Sequence, residues 1–230
     1  MVNGERTGKP VIYDSMKKTI IPMIMTALVL SAFTISHEDL RQVMNKMMQN
    51  MKSMKITGDH DKDFAMMMIA HHQGAIDAAN IAVRLGKDEK IKSMAGKTLH
   101  SQAQEQEDLR EHTQMQHNAD ATAKKDDSHA AHAQRSDANA SSSHNEQFSA
   151  EMKSIMDEMD SKMKNMKMPA DLDHAFATMM IDHHQAAIDM ANLEGKHGRI
   201  EEVKAIAEKI VTDSQKDISE LKTWLTSHDK

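Results

Sequence analysis

The sequence predicts an all-α protein, a helical bundle built from two tandem three-helix repeats. Three observations carry this expectation. Turn formers and aromatics are scarce: three Pro, eight Gly, Trp224, Tyr13 and four Phe in 230 residues. That composition disfavours β-rich packing and frequent turns and favours long helices. Apolar residues recur at helical spacing. The chain also contains itself twice. Residues 61–80, DKDFAMMMIAHHQGAIDAAN, match residues 173–192, DHAFATMMIDHHQAAIDMAN, at an offset of 112. The same offset maps Met44, Met47, Met51 and Met54 onto Met156, Met159, Met163 and Met166, and Lys92, Ala95, Lys97 and Leu109 onto Lys204, Ala207, Lys209 and Leu221, with no gap. This is a duplication.

Residues 1–36 read as an N-terminal extension followed by a signal peptide. Met16-Lys17-Lys18 precedes an apolar run from Ile20 to Ile35 that contains Pro22, a positive segment and a hydrophobic segment of secretory type. Sixteen helical residues would reach roughly 24 Å, short of the ~30 Å hydrocarbon core, so a permanent membrane span is not expected. Cleavage fits after Ala32 or Ser36. The mature chain is then expected to begin near His37, and the protein to be periplasmic or secreted.

The first repeat, 37–112, divides into three helices. Helix A, about 37–56, carries apolar residues at 40, 44, 47, 51 and 54, an alternating four-then-three seam that Gly58 and Asp59 interrupt. Helix B, about 61–85, has Asp61 placed to cap it and Gly86 to stop it. Helix C spans about 88–112. Residues 113–146 lose the periodicity and are rich in Ala, Ser, Asp and His, which reads as a flexible linker. Its histidines, His117, His129, His132 and His144, are either weak metal scavengers or solvated polar residues. In the second repeat, 147–230, Pro169 separates A from B, Gly195 and Gly198 separate B from C, and C ends near Trp224-Leu225.

A formal charge of −6 excludes a basic footprint for nucleic acid. There are 23 Met and 15 His but no Cys, so thiolate sites and disulfides are ruled out. Any soft-metal site must be made of thioether and imidazole. On a helical wheel of about 100° per residue, Phe64, Met68, His72, Ala75 and Ala79 share one stripe of helix B, with Met67 and His71 beside them. Met67 stands one turn before His71 and Met68 one turn before His72. Met179, Met180, His183 and His184 repeat the pattern.

Thioether sulfur suits Cu(I), and imidazole serves Cu(I) and Cu(II) alike. Thioether has no proton to lose, and it survives where thiols would oxidise. Ag(I) is expected to compete. Two neutral imidazoles buried without partners would cost ~1–3 kcal/mol each, and Asp61 and Asp173 are candidate acceptors to orient them. The helix A methionines Met44, Met47, Met51 and Met54 have two readings, core packing and metal ligation, with Met48 and Met168 at the seam edges. Asp77 and Asp189 fall opposite the stripe, as solvated or interhelical charges.

The pattern D-x-x-F-x-x-M-M-I-x-H-H-Q-x-A-I-D-x-A-N, present twice, resembles the signature of the CopM-like proteins, catalogued largely as a domain of unknown function. The resemblance covers roughly residues 37–112 and 147–227. It implies a ferritin-like four-helix bundle, export, and copper binding linked to copper resistance, with Met67, Met68, His71, His72, Met179, Met180, His183 and His184 as ligands. Leu172 stands where the first copy has His60, and Ala78 where the second has Met190, which argues against identical metal binding by the two halves.

The expected function is a copper buffer or chaperone, with a copper exporter or oxidase as its natural partner. One rival is a di-iron oxidase, which wants repeated E-x-x-H on facing helices; only Glu194–His197 fits, and it is not repeated. The other rival is a metal-free structural or interaction protein. With no nucleophile–base set or phosphate loop in view, catalysis is not expected.

Overall fold

The computed structural model describes residues 39–123 and 137–228, and every regular element among them is a helix. They are α1 (39–53), α2 (His60–Leu85), α3 (Glu89–Ala123), α4 (Asp137–Asn165), α5 (Leu172–His197) and α6 (Glu201–His228). The expected signal segment lies outside the described residues, as do His129 and His132. For His117 and His144 only the helical backbone is described. The ends of α1 and α4, and the starts of α2 and α5 and of α3 and α6, all stand 112 residues apart. The duplication in sequence is a duplication in structure.

Within each repeat the last two helices pair, α2 with α3 and α5 with α6, and the pairs join through α2–α5 and α3–α6 contacts. These four helices form a closed bundle. The buried hydrophobic residues of both repeats form one continuous core, so the copies fold together rather than as two bundles. Helix α4 packs on α5, and α1 lies correspondingly on α2, where Met47 covers Gly74. Lys52 of α1 pairs with Asp160 of α4. Among the described residues no helix is long and apolar enough to cross a membrane.

Methionine builds the outer seams. Leu40, Met44, Met47, Met48 and Met51 of α1 are buried, as are Phe148, Met152, Met156, Met159 and Met163 of α4. Each such side chain contributes roughly 1.5–3 kcal/mol of burial, and flexible thioethers fill the irregular gaps between helices. Met54 falls beyond the end of α1 and is half-buried; Met48, expected at the edge of the seam, is inside it.

The helix ends differ from the sequence expectation in an instructive way. Asp59, not Asp61, caps α2, and its equivalent Asp171 caps α5. Asp61 is buried and instead receives the N–H groups of Arg199 and Ile200 at the start of α6, at 2.8–3.2 Å. Asp173 does the same for Lys87 and Asp88 ahead of α3, at 2.9–3.2 Å. Each repeat therefore caps a helix of the other, satisfying orphan amide groups and placing negative charge at helix N-termini. A Cβ at Gly86 would stand 2.5 Å from the Ala82 carbonyl oxygen and 2.7 Å from Asp173 Oδ1. Its φ of −62° is ordinary, so close approach rather than a left-handed turn sets the requirement. Helix α5 runs through Gly195, and Gly198 alone ends it.

Helical backbone also enters the interval read as a linker, through 113–123 and 137–146. That stretch has almost nothing to bury, but it contains no Gly or Pro. Losing an apolar face does not end a helix when no breaker is present.

One end of the bundle breaks the symmetry. Glu194, His60 and His197 are buried where the other copy has Ala82, Leu172 and Leu85. His60 stacks on Phe148 with ring centres 4.5 Å apart, and its Nδ1 lies 3.2 Å from the His197 carbonyl. Burial, with the charge of Asp61 beside it, pushes the Glu194 carboxyl up to about 9.

Two outcomes follow. Asp173→Ala should lower stability by about 1–2 kcal/mol in urea unfolding, the cost of a lost cap. Glu194 is protonated in the folded state while the unfolded chain ionises near its ordinary 4.5, so its contribution is complete below about 4.5 and is lost as pH rises toward about 9. Glu194→Gln should flatten that decline in a series of unfolding curves across the same interval.

Candidate metal centre

The duplicated motif puts its histidines on the central helices, and the pairing of repeats puts those helices against each other. His71 of α2 and His183 of α5 occupy equivalent positions and stack face to face, ring centres 3.7 Å apart and planes within 14°. His72 and His184 flank the stack, 6.2 and 5.9 Å from their chain neighbours. All four are 0–2 % exposed. Met67, Met68, Met179 and Met180, each one turn earlier on the same helices, are equally buried.

Carboxylates reach the outer histidines from the third helix of each repeat. Glu105 Oε2 lies 2.9 Å from His72 Nε2, and its Oε1 is held at 2.8 Å by Lys209 of the other repeat. Asp217, the equivalent of Glu105, stands further off, 3.7 Å from His184 Nε2. His72 Nε2 has the Glu105 carboxylate at 2.9 Å, and the other seven ring nitrogens of the four histidines have no hydrogen-bond partner. A buried polar atom left so costs ~1–3 kcal/mol.

Electrostatics keep the central pair neutral. Burial first, then the neighbouring imidazoles, holds His71 and His183 well below the usual histidine range. Burial and His72 bring His184 down to about 4, against the pull of Glu105. Burial works to raise Glu105, but His72 and Lys209 outweigh it and the carboxyl ends below its ordinary value. Asp217 lacks such an anchor, and burial with Glu220 and Asp213 pushes it up to about 6. Neutral imidazole is the form that can donate to a metal.

The structure thus brings His71, His72, His183 and His184 together at the contact between repeats. Of the α1 seam, Met47 touches the motif helix: its thioether lies over Gly74, three residues past His71. In the second copy Ala186 occupies that place. Met44 and Met51 face the core. Asp61 and Asp173 are not the acceptors that orient the imidazoles, because their oxygens are spent on the backbone caps. Glu105 and Asp217 are instead the carboxylates beside the outer histidines, Glu105 within hydrogen-bond distance of His72 Nε2 and Asp217 beyond it from His184 Nε2. Their equivalence under the 112-residue offset was the available signal, but one is Glu and the other Asp, so a comparison of identities passes over them.

Asp77 and Asp189 accept from Gln73 and Gln185, one turn back on their own helices, at 2.8 and 3.0 Å. Among the described residues no group of three or more His, Asp or Glu side chains is arranged to hold a metal ion. A soft ion here would need thioethers to complete its ligands, and the chemistry of imidazole plus buried Met fits such an ion.

A family model described as Domain of unknown function (DUF305) matches residues 30–113 and 61–225. No curated protein matches the chain. The crystal structure of a DUF305 fragment from Deinococcus radiodurans is similar at 16% identity, covering 73% of this chain and 96% of that one, with a TM-score of 0.47.

If the imidazoles are kept for binding rather than packing, the metal-free fold should gain from their loss. The double variant His71→Leu with His183→Leu should unfold at higher urea, by about 1–3 kcal/mol, since four buried nitrogens without hydrogen-bond partners leave the core. A loss of stability would mark the stack as structural.

Proposed function

We propose that this chain, which belongs to the DUF305 family, is an exported copper-binding protein that sequesters or chaperones the metal. The observation that carries the reading is the set of buried imidazole nitrogens, seven of the eight without a hydrogen-bond partner, one turn from four buried thioethers. A fold that keeps such groups in its core bears a cost that a bound ion would offset. His71, His72, His183 and His184 with Met67, Met68, Met179 and Met180 are the proposed ligands. Met47 is the candidate to join them from the α1 seam; Met44, Met51 and Met54 are further thioethers along it.

Cu(I) is the favoured ion, with Ag(I) its competitor, because thioether prefers soft d¹⁰ cations. Export rests on the Met16-Lys17-Lys18 segment and the apolar run after it. The natural partners are a copper exporter or oxidase in the same compartment. The proposed role is holding metal, not catalysis. The His71–His183 stack also supports a second reading, a metal-free interaction protein in which imidazoles merely pack.

Titration of the mature chain with Cu(I) against a competing chelator separates the two. Tight binding is expected, weakened more than about a hundredfold in the variant with all four histidines changed to Ala, since even outer partners of metal ligands cost 10–100-fold. Unchanged affinity in that variant would leave packing as the role of the histidines.

A further inference from the structure

Ligands 0–2 % exposed need a way in, and the two flanks of the centre offer different ones. At the first-repeat flank, Glu105 is 4 % exposed at its side chain and tied between His72 and Lys209. At the second-repeat flank, Asp217 is one methylene shorter, 26 % exposed, and 3.7 Å from His184. A cavity of about 10 Å³ opens beneath it, lined by Asp217, Met94, Thr98, Phe176, Met180 and Leu221. That is about the room one water-sized body requires. Met180 is itself a proposed ligand, one turn before His184.

The mirror position shows that this is not a generic gap. The offset of 112 places Glu105, Ile206, Ile210, Phe64, Met68 and Leu109 there. Three of the six positions differ, all in one direction. Met94 replaces an isoleucine, Thr98 replaces an isoleucine, and Asp217 shortens a glutamate. The second flank has gained a thioether and a hydroxyl and lost bulk.

We propose that this asymmetry is an access route: Cu(I) reaches the centre past Asp217, through the cavity lined by Met94, Thr98 and Met180, with His184 the first histidine it meets. The route rests on the copper reading above. The carboxylate collects the cation at the surface, and successive thioethers exchange it inward without any proton being released. The Glu105 flank is the fixed wall against which the ion is finally held.

Two measurements on the full chain test this. The first is the rate of Cu(I) transfer from a bicinchoninate complex, followed by stopped flow. Met94→Ile with Thr98→Ile gives the second flank what the first already carries. It should load about tenfold more slowly at unchanged equilibrium affinity, because a barrier on the route slows ingress and release alike. The second needs no metal: diethyl pyrocarbonate labelling, read by mass spectrometry, should modify His184 before His72. Loading at the native rate in the double variant, or His72 labelled first or together with His184, would overturn the route. If the native chain takes up no copper, the copper reading fails, while the labelling order still decides which flank is open.

Discussion

The molecule is organised around one contact, the face-to-face meeting of His71 and His183 where α2 crosses α5. Two equivalent helices can approach closely only if equivalent side chains tolerate each other. Planar, neutral imidazoles do so at 3.7 Å. That crossing brings the two motif helices together at the centre of the bundle. The outer histidines are driven under α3 and α6, the four methionines are sealed in, and water is removed from nitrogens that would otherwise bind it. Burial then lowers the proton affinity of the inner pair, which keeps the pair neutral and lets the stack persist.

Around that contact the two repeats hold each other by reciprocal carboxylates. Asp61 and Asp173 each reach across to the amide groups that begin the other repeat's third helix. The caps tie the halves together through Asp61 and Asp173, and the meeting of His71 with His183 lies between them. Neither repeat satisfies its own backbone alone, which explains why one core serves both.

Much of this was legible in the sequence. Periodicity and the repeat gave the helices, their order and the burial of the histidine pairs, because a 3.6-residue rhythm reports directly on which face is covered. What stayed hidden was non-local. Asp61 sits where a local cap is expected, yet its partner lies 138 residues away. Glu105 and Asp217 look like ordinary solvated charges on a polar helix until α2 and α5 are docked beside them. The stretch 113–146 reads as unstructured because its sequence is nearly without large apolar residues, whereas the helical backbone of 113–123 and 137–146 needs only the absence of Gly and Pro. The ligand side chains were visible as types and spacings; their neighbours were visible only in three dimensions.

The two halves meet as the subunits of a symmetric homodimer would, with the same patch on both sides and like residues facing like. Joined in one chain, that isologous contact no longer depends on protein concentration. Covalent fusion also lifts a constraint that identical subunits cannot escape. In a homodimer every substitution appears twice, so a change that opens one flank opens both. Here Glu194 has an alanine twin and Asp217 a glutamate twin, and each side has been free to specialise while its counterpart kept the scaffold intact.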